Sequence, residues 1–159
     1  MYPVSDGFLR AVKSNTRKYY WTGTIVTKAG VFYEFGAKEI ELGTVYAAEM
    51  GITLLSDIDR YTLEDAQVTL VFHLVLADGS VEDVPMGVFE VSEANRLAKC
   101  LELKAYDFML RFDKSFNGFE TVGTAYDFIT LCCKRCKVEL ANKRAEIDAM
   151  PNGGVTLSV

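Results

Sequence analysis

The clearest pattern in the chain is an alternation. From Gly43 to Leu55, Tyr46, Ala48, Met50, Ile52 and Leu54 fall on one side of an extended backbone, and Glu49, Gly51 and Thr53 fall on the other. A period of two marks a strand with one dry face and one wet face. Lys18 to Thr27 is rich in aromatic and β-branched residues. Lys28-Ala29-Gly30 is a short loop ending in a permissive glycine, and Val31 to Phe35 returns, which together predict a hairpin. Gln67 to Leu76 is almost wholly apolar, so the strand predicted there is covered on both faces. Asp78-Gly79 gives the turn signal into Val81 to Val91, where Pro85 and Gly87 predict an edge strand or a bulge, because proline cannot donate to a ladder. After a connection over Ser92–Arg96, a last strand over Leu97–Ala105 turns Leu97, Leu101, Leu103 and Ala105 inward, with Lys99 at its mouth. Glu102 and Lys104 face out of the same strand.

Helical spacing is confined to the two ends. Phe8, Leu9 and Val12 follow Ser5, a good N-cap, and predict a helix from about Asp6 to Lys13 that lies on a sheet. Ser56 to Asp65 is a polar loop, Tyr106 to Phe112 a helical turn, and Asp113 to Gly123, with Gly118 inside it, a linker. Thr124 followed by Asp127 predicts a capped helix from about Ala125 to Cys136, whose last turn carries the cations that suit its dipole. Val138–Leu140 and Val155–Leu157 are short strand candidates, with a turn over Pro151–Gly154 ahead of the second. The fold class is α+β, mainly β. A β-barrel or sandwich with a short N-terminal helix is expected over residues 1–115, and a helical appendage over 116–159. The apolar run from Val155 to Val159 leads to the expectation that the chain was cut from something longer, or that its end pairs with a partner.

Composition narrows the function more than the fold. Half of the 159 residues are hydrophobic and 25% are charged, as in an ordinary soluble globular chain. There is no run of about 18 apolar residues to span a membrane. Met1–Asp6 has neither the basic nor the apolar region of a secretory signal, so folding in a cytoplasm is expected. The net charge is −5 and the pI about 4.9. Basic residues are scattered, and the largest group, Lys134, Arg135, Lys137, Lys143 and Arg144, is interrupted by Glu139. A grip on nucleic acid, which needs clustered cations against phosphates, is not expected.

Candidate chemistry is sparse. His73, the only histidine, sits in mid-strand, where a half-buried imidazole with one satisfied nitrogen is the ordinary reading. Cys133-Lys134-Arg135-Cys136 lacks the second ligand pair that zinc needs, and lies at the wrong end of its helix for an activated redox thiol. With three of the four cysteines, Cys100, Cys132, Cys133 and Cys136, inside five residues, cytosolic thiols are expected rather than a disulfide framework. Asp57, Asp59, Glu64 and Asp65 do not follow a calcium-loop order and read as a solvated loop. No enzyme, cofactor or metal is therefore expected. The aromatic residues stand apart: Tyr19-Tyr20-Trp21 with Phe32, Tyr33 and Phe35 place rings on both faces of the first hairpin. One face can be core. The other is either covered internally or is a subunit interface, for which Tyr20, Trp21, Tyr33, Pro85 and Met86 are the candidate residues.

Several stretches also carry a family likeness. Leu42-Gly43-Thr44-Val45-Tyr46-Ala47-Ala48-Glu49-Met50-Gly51-Ile52-Thr53-Leu54 resembles an early strand in the N-terminal region of bacteriophage tail-tip or baseplate-hub proteins of Gram-positive prophages. Asp78-Gly79-Ser80 with Val84–Val91 resembles the hairpin that follows, Leu101–Asp107 the strand closing the first barrel, and Thr124–Ile129 through Leu140 the helix opening the next hub domain. Lys137 stands where the family often has glycine, and family members are usually much longer. The resemblance implies tail-tube-like β-barrels, with residues 116–159 the start of a second, α/β hub domain. It further implies a homotrimer whose paired barrels mimic a six-fold ring around a DNA channel. Its partners would be sister subunits and other tail proteins, with no sequence-specific nucleic acid and no membrane insertion, and its location the tail tip of a virion made in a bacterial cytoplasm. A small-ligand or carbohydrate-binding β module is the alternative, and an enzyme using Cys133 and Cys136 or the acidic loop is a further rival.

Overall fold

Ser5 caps the first helix. In the computed structural model, which describes residues 2–44, 47–115 and 122–158, its Oγ accepts from the Phe8 N–H at 3.0 Å, and helix α1 runs Asp6–Val12. The Ser5 N–H and hydroxyl both donate to the Glu82 carboxylate, the N–H at 2.8 Å. The Phe8 ring meets Phe72 edge-on at 6.2 Å. These contacts lay α1 on a sheet, as its apolar stripe predicts.

That sheet has seven antiparallel strands: β1 (Lys18–Val26), β2 (Phe32–Ala37), β3 (Glu41–Thr44), β4 (Ala48–Leu55), β5 (Gln67–Val75), β6 (Val81–Leu97) and β7 (Cys100–Asp107). Their order is β2-β1-β5-β6-β7-β4-β3. The chain is thus mainly β with a few short helices. Strand β6, 17 residues long, belongs to two half-sheets. Val81–Glu90 pairs with β5, and Phe89–Leu97 pairs with β7. Its register breaks twice, around Met86 opposite Leu70 and Val71, and between Val91 and Glu93. A bulge bends its strand and raises its twist, so the two halves fold over one core. Trp21, Ile25, Val68 and Leu70 of one half share a buried cluster with Met50, Ile52, Leu54, Leu101 and Leu103 of the other. Leu63, in a 3-10 turn over Arg60–Leu63, and Ala66 complete it.

Several expectations need correction. The run from Gly43 to Leu55 is not one strand: β3 and β4 form a hairpin, Glu41 pairing with Gly51 and Thr44 with Ala48. Val45 and Tyr46 lie outside the described residues, as do residues 116–121 of the expected linker. Met50, Ile52 and Leu54 do alternate into the core. Ser92–Arg96 is not a connection but the second half of β6, and the turn into β7 comes at Ala98, with φ of 55°. Leu97 therefore sits at a hairpin tip and is 71% exposed rather than inward. Pro85 and Gly87 mark a bulge, not an outer strand, since β6 is central; Gly87 adopts φ of 108° there. Val138–Leu140 forms no strand.

The contacts divide the chain into two compact units, residues 1–109 and 110–159. The second contains α2 (Ala125–Cys136), a short α3 (Arg144–Asp148) that the sequence pattern did not predict, and the two-residue strands β8 (Val122–Gly123) and β9 (Leu157–Ser158), paired antiparallel. Asp127 organises it. Its carboxylate accepts from the Thr124 N–H at 2.8 Å and the Thr124 hydroxyl at 3.0 Å, and pairs with Arg144, whose guanidinium stands 4.5 Å from the Tyr126 ring centroid. The helix ends at Lys137, whose φ of 55° is the left-handed conformation for which glycine is the usual choice.

Two outcomes follow from this packing. Gly23 lies under the Phe35 ring, and a Cβ there would stand 2.5 Å from the Thr69 carbonyl oxygen. Gly23→Ala is expected to cost about 1–3 kcal/mol in urea unfolding, whereas Gly36→Ala, with 3.7 Å to its nearest neighbour, is expected to be tolerated. Arg144 first, and then Thr124, hold the Asp127 carboxyl down at about 2, below its ordinary 3.8. A depressed carboxyl adds stability above its unfolded value and loses it as pH falls through the folded value. The residue 110–159 unit is therefore expected to weaken between about pH 4 and pH 2, and Asp127→Asn to flatten that loss in an acid titration followed by circular dichroism.

Candidate subunit interface

An open sheet leaves backbone groups without partners at its edges. Strand β2 is one outer strand. The Thr27 N–H donates to the Val31 carbonyl at 2.9 Å, and by the alternation of an antiparallel ladder the backbone groups of Tyr33 and Phe35 face β1 while those of Phe32, Glu34 and Gly36 face outward. Strand β4 has a second free edge. Only Ala48–Gly51 pairs with β3, so Ile52–Leu55 is paired on the β7 side alone. Residues of β2 and β4 together line a groove of about 1190 Å³. Its apolar lining includes Ile25, Tyr33, Phe35, Ile52 and Leu54, and its charged lining is six glutamates against Lys38 and Lys104. Lys104 is not spare. Its ammonium lies 3.2 Å from Glu49 and 5.4 Å from the Tyr106 ring centroid, and Tyr106, then Glu49, hold its pKa above the ordinary lysine value.

A second groove of about 670 Å³ opens where α1 lies on the sheet. Phe8, Tyr19, Trp21, Phe72, Val84 and Met86 line it, with Arg17, Glu39 and Glu41 as its charged residues.

The five candidate interface residues do not form one surface. Trp21 is core: it is 8% exposed, and its ring lies 4.7 Å from Phe72 on the buried face of β1 and β5. Its place on the inner face of a central strand removes it from any free surface patch, although its edge reaches the second groove. Tyr20 lies on the opposite face and stacks on His73 at 4.5 Å and 11°. Tyr33 is half-buried against the core and lines the first groove. Pro85 and Met86 are exposed at the β6 bulge, Met86 bordering the second groove. The more exposed ring is Phe32, at 56%; the run of aromatics in the sequence included it, but the alternation alone did not say which face was inner.

His73 is held at both nitrogens, not one. Its Nδ1–H donates to Asp83 at 2.6 Å, and Nε2 lies 2.6 Å from the Thr22 hydroxyl. Thr22, His73 and Asp83 thus stand in the order of a nucleophile, base and orienting acid. The backbone around Thr22 is paired on both sides, with β2 and β5, so its N–H groups are committed to ladders and form no oxyanion hole. The line ties three neighbouring strands together across the outer face, where Thr24 and Thr69 add another hydroxyl pair. Two of the four acids of the acidic loop are also engaged: Asp59 accepts from the Tyr61 N–H at 3.1 Å and Asp65 pairs with Lys28 at 2.8 Å. Among the described residues, no three His, Cys, Asp or Glu side chains gather as a metal site, and no helix is long and apolar enough to cross a membrane.

No protein-family model matches the sequence, and no curated protein matches it. Among solved structures, the fold is similar to that of a chain from the virion of a native gene transfer agent particle, with a TM-score of 0.51 and 13% identity over 94% of this chain. The likeness at that identity is one of fold, and it spans 56% of the other chain's length.

The thiols offer a direct check on the redox reading. Cys133 and Cys136 are buried near the C-terminal end of α2, and desolvation, with Cys132 and Cys136 as neighbours, pushes the Cys133 thiol up. With Ellman's reagent at pH 7, Cys133 is expected to react at least about ten-fold more slowly than the free thiols of the unfolded chain. A fast-reacting Cys133 would restore the redox reading.

Proposed function

We propose that this chain is a structural protein of a phage-like particle, placed in the tail tip or baseplate hub, where copies assemble into a ring that connects the tail tube to the tip. The observation that carries the reading is the fold likeness to a virion chain over 94% of the length. Two free strand edges and the exposed Phe32 and Tyr20 rings supply surfaces that neighbours would cover. The partners are sister subunits, as a homotrimer, and other tail proteins. Residues 116–159 are read as the start of a second, α/β hub domain. The net charge of −5 suits a wall that lets DNA pass without holding it, since like charges repel phosphates. The work is binding; no bond is made or broken, and no cofactor, metal or membrane is involved.

A second reading has one observation in its favour. The aromatic groove beside α1, at about 670 Å³, is within the size range of small-ligand sites. Sedimentation velocity separates the two. A ring component is expected to reach the mass of three chains or a multiple of it as concentration rises. A chain that stays monomeric throughout, while its only tryptophan, Trp21, changes fluorescence on adding simple saccharides, would favour the ligand-binding module.

A further inference from the structure

We infer that the groove between β2 and the far half of β4 takes an extended, basic strand from another protein, which pairs with the free β2 edge. The inference rests on reading the chain as an assembly protein and names the kind of partner.

The backbone makes the case first. Outward N–H and C=O groups of Glu34 and Gly36 line one side of the groove, and the unpaired edge of Ile52–Leu55 lines the other. A peptide strand is the ligand that answers such a row of donors and acceptors along β2. Two other edges of the sheet are guarded in the ways that natural sheets use against unwanted pairing. Strand β3 is only four residues long. The half of β6 not paired with β7 carries Pro85 and a bulge. Strand β2 has neither device: Phe32–Ala37 contains no proline or lysine, and its register with β1 is unbroken.

The side chains then choose the guest. Successive residues of a strand point to opposite sides. One set would meet Tyr33, Phe35, Ile52 and Leu54, which calls for apolar groups. The other would face Glu34, Glu39, Glu41, Glu93 and Glu102 against Lys38, with Glu49 and Lys104 paired to each other. Alternating cationic and apolar residues satisfy both. A second copy of this chain, itself at −5, is the poorer match.

The test titrates the full chain into three labelled eight-residue peptides, read by fluorescence anisotropy: alternating lysine and valine, alternating glutamate and valine, and four lysines followed by four valines. The alternating basic peptide is expected to bind at least about ten-fold more tightly than either control, because only it matches both the charge and the period of two. On binding, the amides of Glu34 and Gly36 are expected to slow in hydrogen exchange, and the exposed-site variant Glu34→Lys/Glu102→Lys to weaken binding at least about five-fold. Equal binding of the block peptide would reduce the effect to loose charge attraction and overturn the inference, as would unchanged exchange at Glu34 and Gly36. Self-association through β2 with no peptide bound would also overturn it. The sedimentation result is separate: a ring former that ignores the peptide retires the groove and keeps the assembly reading, and a monomer that binds it retires the ring alone.

Discussion

The bend in β6 is the constraint on which the rest of the first unit depends. A flat seven-stranded sheet would leave its inner face wet, and no helix among the described residues of 1–109 is long enough to cover it, since α1 has seven residues. The sheet has to cover itself. Strand β6 allows this by changing partners part-way, from β5 to β7, with bulges at Met86 and after Val91 to turn its direction. Leu70 and Ile25 thereby reach the same core as Leu101 and Met50. The fold-over has a second result: β2, and the half of β4 beyond β3, keep edges that no strand pairs with among the described residues.

Much of this was legible in the sequence, for physical reasons that differ by element. The β1–β2 hairpin was readable because aromatic and β-branched runs flank a glycine loop, and α1 and α2 because Ser5 and the Thr124–Asp127 pair are strong caps. Pro85 and Gly87 announced a bulge, but not that it would sit in the central strand. The β3–β4 hairpin was hidden because Leu42 to Leu54 has no Asn-Gly or Asp-Gly at its turn, so its alternation reads as one strand. Ser92–Arg96 was misread because its polar residues have low strand propensity, and pairing with β7 outweighs it.

The candidate interface was less legible than the fold. The chemistry of an edge lies in backbone groups, and side-chain patterns report them only indirectly. Trp21 illustrates the limit: it looks like an anchor in a run of rings, yet its ring packs on Phe72 in the core, while Tyr20 beside it emerges on the far face. His73 shows the opposite case. Its partners, Thr22 and Asp83, are 51 and 10 residues away in the chain, and only the register of β1, β5 and β6 brings them together.

If edges are what this chain offers, its neighbours in a particle should complete its sheet. A cryo-EM reconstruction of the particle carrying the chain observes this directly. Copies arranged in a ring about the tail axis, each with its β2 edge continued by a strand of a different tail protein, are the expected result. Copies whose β2 and β4 edges both face solvent, or a tail built without the chain, would contradict it.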